Sequence, residues 1–161
     1  MRIGVISDTH GLLRPEVLPA LRGCDHILHA GDVGQASILI ALRSLAPVTT
    51  IRGNVDRSGL CGELPATETV SLAGRLFYLV HNIDDLDLNP AVAGISAVIY
   101  GHTHQATTRW KDGVLYFNPG SVGPRRFHLP ITLGILECTS DELHPQVLSP
   151  QIVSLDCADQ E

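Results

Sequence analysis

Aromatic side chains are scarce. One tryptophan, three tyrosines and three phenylalanines make up 4% of the chain, so a core has to be filled by Val, Ile, Leu and Ala. The hydrophobic share of 44% is large enough for that, and an aliphatic core of this kind suits buried sheet. Positive charge is also in short supply. Eleven Lys and Arg face seventeen Asp and Glu, a formal net charge of −6, which argues against broad binding to a nucleic-acid backbone. No apolar run approaches the roughly 18 residues needed to cross a bilayer. Met1-Arg2 runs straight into the first apolar stretch, so no charged-then-apolar leader is expected. The four cysteines, Cys24, Cys61, Cys138 and Cys157, are far apart and form no C-x-x-C pair. Reduced thiols in a cytoplasmic protein are the expectation. The length of 161 residues predicts one domain over 1–161, with a core over about 2–148 and a tail over about 150–161.

What the chain does have is eight histidines, and their places matter more than their number. Ile3-Gly4-Val5-Ile6 reads as a buried strand that stops at Ser7 and is followed by Asp8, Thr9, His10 and Gly11. A short or bent helix is expected between Pro15 and Gly23, with Pro19 inside it. His26 to Ala30 reads as a second strand, ending in Gly31-Asp32. A helix from about Gln35 to Leu45 and a strand from Val48 to Ile51 follow, the latter ending in Gly53-Asn54-Val55-Asp56. This alternation is the pattern of a parallel βαβαβ unit with right-handed crossovers. Residues 57–66 read as loop. Strands are expected at Thr67–Leu72 and Leu76–His81, a short helix near Pro90, and a further strand over Ala97–Tyr100 that runs into Gly101-His102-Thr103-His104. Lys111-Asp112-Gly113 marks a hairpin. Strands near Ile131–Glu137 and Leu143–Leu148 come next, and the tail past Pro150 starts as an edge strand.

Five strands thus end in metal-binding residue types: Asp8 and His10, Asp32, Asn54, His81, and His102 with His104. In one parallel sheet these ends would share an edge, where open α/β sheets carry their sites. Singly, each has an ordinary reading, since Asp, Asn and Gly are turn residues. Together they exceed what one metal ion needs and divide into two sites if one carboxylate is shared. Such a bridge sets two dications about 3.5–4 Å apart and activates a water. Oxygen and imidazole donors without thiolate suit Mn, Fe, Zn, Co or Ni better than Ca.

The blocks Asp8-x-His10, Gly31-Asp32, Gly53-Asn54-x-Asp56, His81 and Gly101-His102-x-His104, with Asn118-Pro119-Gly120-Ser121-Val122 near the end, resemble the calcineurin-like metallophosphoesterase superfamily. Within it they resemble the small YfcE-type phosphodiesterases, over roughly residues 2 to 148. The resemblance implies a sandwich of two mixed β-sheets flanked by helices, with the site at a sheet edge. It implies that Asp8, His10 and His104 hold one metal, that Asn54, His81 and His102 hold the other, and that Asp32 bridges them. A bridging hydroxide would then attack phosphorus in line. Manganese is the first expectation for the metal, and a small phosphodiester for the substrate. Relatives of this type are often dimers or larger, so a dimer or tetramer is expected.

Two departures from the family pattern stand out. Val55 occupies the place where many relatives carry a histidine that helps the leaving oxygen depart, and valine gives no proton. Asn82 follows His81 where relatives usually have glycine. Around the site, Ser121 and Arg125 are candidates for substrate contact, and Thr9 and Asp56 for orienting the ligands. His26 and His29 are expected to pack or to face solvent. Two other functions compete with the phosphodiesterase: a metal-binding interaction scaffold of the same fold, and a phosphomonoesterase or nucleotidase. Scaffolds of this fold tend to lose ligands, and this chain keeps all of them.

Overall fold

The computed structural model describes residues 1–150. The expected edge strand past Pro150 lies outside them. The first strand, β1 (Arg2–Ile6), is buried over its last four residues. It is followed by α1 (Val17–Leu21), β2 (His26–His29), α2 (Ala36–Arg43) and β3 (Val48–Thr50). β1, β2 and β3 pair in parallel, as the alternation of strand and helix requires. Two later strands, β9 (Leu133–Cys138) and β10 (Leu143–Leu148), extend this sheet on the other side of β1 by antiparallel pairing.

The second sheet is built from β4 (Thr67–Leu72), β5 (Arg75–Val80), β6 (Ile95–Ile99), β7 (Thr107–Lys111) and β8 (Val114–Asn118), in the order β4-β5-β6-β8-β7. Its central strands β5, β6 and β8 are again parallel. The strand ends therefore do not share the edge of a single parallel sheet, as their spacing alone suggests. They come from two parallel blocks in two sheets, and the architecture is the two-sheet sandwich with flanking helices.

The sheets are held together by one central cluster that includes Ile3, Val5, Leu28 and Ile51 from the first and Phe77, Leu79, Ile99 and Phe117 from the second. Alternation along the strands sends the other face of the first sheet outward. There Ile6, Ile27 and Ile135 pack with Val17 and Leu21 of α1 and with Leu39 and Leu42 of α2. The outer face of the second sheet carries all three tyrosines, Tyr78, Tyr100 and Tyr116, partly covered by Ile83, Leu86 and Leu88. The aromatics are few but concentrated. Phe77 and Phe117 are fully buried at the centre, where the composition predicts only aliphatics.

Three local expectations change. Residues 57–66 contain a one-turn helix, α3 (Gly59–Gly62). The short helix expected near Pro90 does not form, and residues 90–94 make turns instead; a short 3-10 turn forms earlier, at Ile83–Asp85, where the side chain of Asn82 accepts from the Asp84 N–H at 3.2 Å. β9 begins at Leu133, and Ile131 makes only an isolated bridge with Ser121. Among the described residues no helix is long and apolar enough to cross a membrane. Cys24, Cys61 and Cys138 are buried free thiols, and Cys157 lies outside the described residues.

Candidate metal centre

The carboxyl ends of the two parallel blocks meet, and the loops leaving them converge. β1 delivers Asp8 and His10, β2 Asp32, β3 Asn54, β5 His81, and β6 His102 and His104. The backbone pays a conformational penalty to do this. Asp8, His10, Asp32, His102 and His104 have φ values of 56°, 46°, 54°, 69° and 59°. Outside glycine, left-handed backbone is uncommon and persists only where its surroundings enforce it; such positions cluster at functional sites.

All seven candidate side chains are brought to one place. Oδ2 of Asp8 accepts from Ser7 Oγ at 2.6 Å and from the His102 N–H at 3.1 Å. Oδ1 of the same carboxylate is buried and has no hydrogen-bond partner. Three imidazole nitrogens face it instead: Nε2 of His104 at 3.2 Å, of His10 at 3.6 Å and of His81 at 3.9 Å. Asp32 divides its oxygens in a similar way. Oδ1 accepts from the Val55 N–H at 3.0 Å, while Oδ2 lies 3.2 Å from His81 Nε2 and 3.6 Å from His10 Nε2. Oδ1 of Asn54 lies 3.2 Å from His81 Nε2 and 3.1 Å from His102 Nδ1. Finally, Nε2 of His10 and Nε2 of His104 approach to 3.2 Å.

This donor set fits divalent metal ions. A buried carboxylate oxygen without a donor is unfavourable, and a cation at Asp8 Oδ1 removes the penalty. Two overlapping groups have their ligand atoms within 4.8 Å of one another: Asp8, His10 and His104, and Asp8, Asp32 and His81. The first coincides with an expected site. The second gathers His81 with both carboxylates, and Asn54 and His102 attach to it through the Asn54 oxygen.

The charges follow from the same contacts. Burial opposes ionisation of Asp8, but the imidazoles of His10 and His104 facing its carboxylate, the Ser7 hydroxyl and the field of His81 favour it; the net effect holds it well below the usual carboxylate range. Burial also opposes the charge on Asp32, and His81 with the Val55 N–H outweighs it. Burial disfavours a charged His81, yet Asp32 and the Ala30 carbonyl push its pKa above the ordinary imidazole value. The Ala30 carbonyl, 2.7 Å from Nδ1, leaves His81 Nε2 turned to the centre, the orientation a metal-binding imidazole takes.

The residues around the ligands sort into holders and bystanders. Asp56 accepts from the N–H groups of Val33, Gly34 and Gly53 at 3.0, 2.9 and 2.9 Å, tying the Asp32 loop to the Asn54 loop. Thr9 donates to the Val33 carbonyl at 2.8 Å and meets His29 Nε2 at 3.0 Å. Ser121 is a correction. Its hydroxyl is buried and donates to the Asp8 carbonyl at 3.0 Å, so it braces a ligand loop instead of facing a substrate. Arg125 is exposed, and no hydrogen bond or ion pair ties it to the centre among the described residues. Two holders are absent from the expected list. Ser7 fixes Asp8, and Asn118 donates to the Gly101 carbonyl at 2.8 Å and to Thr103 Oγ1 at 3.1 Å. Their only signal in the sequence is position, Ser7 beside Asp8 and Asn118 opening the Asn-Pro-Gly-Ser turn.

His29 packs, as expected, and carries a pH-dependent share of the stability. Its Nδ1 accepts from the Gly31 N–H at 3.2 Å, so Nε2 bears the proton that goes to Thr9. A second proton breaks the Gly31 bond. Complete burial pulls its pKa from 6.5 to about 4, against the weaker opposing fields of Asp8 and Asp56. Between those values the unfolded chain binds the proton and the folded chain does not. Stability is therefore fully present above about 6.5 and is lost as pH falls towards about 4, by on the order of 3 kcal/mol. Denaturant titrations between about pH 7 and about pH 4 should give a shallower loss for His29→Gln than for the wild type. Equal slopes would assign the loss to other groups.

A two-sheet sandwich with a cluster of Asp, His and Asn where its parallel blocks meet is the architecture of the metallophosphoesterase fold. Residues 1–141 match the calcineurin-like phosphoesterase superfamily domain, and the chain belongs to that superfamily. It is 32% identical over 161 aligned residues, 92% of each chain, to a probable metallophosphoesterase of Methanothermobacter thermautotrophicus. It is 28% identical, over 85% of its own length and 88% of the relative's, to the phosphodiesterase YfcE of Escherichia coli K12. Among solved structures, Vps29 of Entamoeba histolytica complexed with Zn2+ superposes with a TM-score of 0.72 at 20% identity, over 93% of this chain and 99% of that one. That likeness is one of fold.

Proposed function

We propose that this protein is a dinuclear, metal-dependent phosphodiesterase acting on a small phosphodiester. The observation that carries the reading is the Asp32 carboxylate. One oxygen is held by the Val55 N–H and the other lies between His81 and His10, a position suited to sharing between two cations. In this reading Asp8, His10 and His104 hold one ion and Asn54, His81 and His102 the other. Ions bound there supply Lewis acidity to the phosphoryl oxygens and lower the pKa of a water. Manganese is the first expectation from the family resemblance, and the oxygen and imidazole donors, without sulfur, also suit Fe, Zn, Ni and Co. The chain's own contribution is position and charge. Asp8 and Asp32 remain ionised through burial-defying contacts, and Ser7, Asp56 and Thr9 keep the loops in register. His102 and Asn54, both exposed, face the incoming ester.

Val55 shapes what can leave. Val55 is 43% exposed beside the centre and its side chain offers no proton, so leaving groups of low basicity, such as aryl oxides, are favoured over alkoxides. Val55→His restores a proton donor at an accessible position. It should raise hydrolysis of an alkyl ester relative to an aryl diester by about tenfold or more, and an unchanged ratio would remove Val55 as the determinant.

The activity is tested with metal-stripped protein and bis(4-nitrophenyl) phosphate, re-supplied in turn with Mn, Ni, Co, Zn and Mg. Metal-restored turnover supports the reading. Bound metal without turnover favours a scaffold, and faster turnover of the matched monoester favours a phosphomonoesterase. We place the protein in the cytoplasm on the free thiols of Cys24, Cys61 and Cys138, as one domain, with a dimer or tetramer expected from its relatives.

A further inference from the structure

A cleft of about 280 Å3 opens beside the metal centre, between the ends of β3 and β5. Asn54, His81 and His102 form its inner end, and Arg52, Asn82 and Asp85 are polar residues of its outer walls. Small-molecule sites run from about 300 to 1,000 Å3, so this one suits a single compact organic group and not an oligonucleotide.

Arg52 is the cation of the cleft, and it is already anchored. Its Nη1 donates to the Gly62 carbonyl at 3.3 Å and to the Leu64 carbonyl at 3.4 Å. Its main-chain N–H is held by the Pro65 carbonyl at 2.9 Å. No partner takes its Nε and Nη2 among the described residues, and those two N–H groups form an edge that grips an oxyanion at two points. A guanidinium already fixed by two carbonyls loses less freedom on binding than a mobile one. Asp85 is exposed and unpaired among the described residues, so an anion in the cleft is driven away from its wall and toward Arg52.

We propose that the cleft receives one organic arm of the diester and that Arg52 selects arms bearing their own acidic group, a carboxylate or a phosphate. The inference rests on the phosphodiesterase reading above. It makes Arg52 a specificity residue that touches the substrate away from the scissile bond, where binding changes KM more than kcat.

The test uses metal-loaded protein and 4-nitrophenyl phenyl phosphates with a para-carboxylate, a para-phosphonate or a neutral para-carboxamide on the phenyl arm. The acidic arms should be favoured in kcat/KM by about tenfold, mainly through KM. The larger of the two preferences tells carboxylate from phosphate. Arg52→Gln should bring the ratio of acidic to neutral arm to about one or below, because Asp85 still repels the acidic arm, and Asp85→Asn should raise it by relief of that charge. Binding of non-hydrolysable methylphosphonate analogues with the same arms is measured by calorimetry in parallel. An arm preference in binding that Arg52→Gln abolishes, without turnover of any diester, leaves the subsite standing and overturns the phosphodiesterase. Equal binding and equal turnover of all three arms overturns the role of Arg52 and leaves the phosphodiesterase standing.

Discussion

Asp32→Ala should abolish metal uptake and lower kcat/KM on an aryl diester by at least about a thousandfold. The reason lies in how little else can replace that carboxylate. It is 2% exposed, and its Oδ2 faces imidazoles from both expected metal sites, 3.2 Å from His81 and 3.6 Å from His10. Alanine leaves the Val55 N–H without its acceptor and strips His81 of the partner that raises its pKa in the metal-free protein. Loss of folding and loss of metal are separable. A ligand stabilises the folded state by about 4 kcal/mol at a thousand times its dissociation constant, so wild-type protein should melt higher when metal is added. The variant should melt at the same temperature with and without it. Asp32→Asn sharpens the comparison, because its carbonyl still accepts from Val55 but carries no charge. It should keep the metal-free melting temperature and lose most of the metal-induced rise. Full activity in either variant would refute the shared role.

The parts of this centre that could be read from the sequence are those fixed by chain direction. A buried apolar run followed by a polar turn ends a strand, and the residue types at Asp8, Asp32, Asn54, His81 and His102 announce a donor set before any pairing is known. Pairing itself was out of reach. β1, β5, β6 and β8 are all largely buried apolar runs, and such runs carry no mark of which sheet they join. Only the family resemblance implied two sheets. α3 was invisible for another reason: four residues with a glycine at each end have no periodicity to detect. Ser121 misleads because a serine in a Gly-Pro turn reads the same whether it faces solvent or, as here, lies beneath Asp8. The left-handed backbone at five candidate ligands was equally unreadable, since residue type does not show where loops of two sheets press on one another.

That pressure predicts the second large effect, at Gly101. It sits just past β6, donates its N–H to the His81 carbonyl at 3.0 Å, and accepts from Asn118 at 2.8 Å. A methyl group here runs into Ser7 Oγ and comes within 2.6 Å of Asp8 Oδ2 and 2.9 Å of Ser7 Cβ. These atoms end the opposite sheet and hold the first ligand, so neither can yield without moving Asp8. Overpacking of this kind destabilises by about 1–3 kcal/mol. Gly101→Ala should therefore melt up to about 6–12 °C lower, at about 2–4 °C per kcal/mol for a chain of this size. It should also bind metal more weakly, because the Asp8 carboxylate is displaced together with the loop. Adding Ser7→Ala removes the nearest obstruction and should recover part of the melting temperature, a coupling expected only between residues in contact. It should not recover the metal affinity, since Asp8 then lacks the 2.6 Å bond from Ser7 that orients it. Recovery of both would mean that Ser7 only fills space. Recovery of neither would put the obstruction at Asp8 itself, whose Oδ2 the added methyl approaches to 2.6 Å.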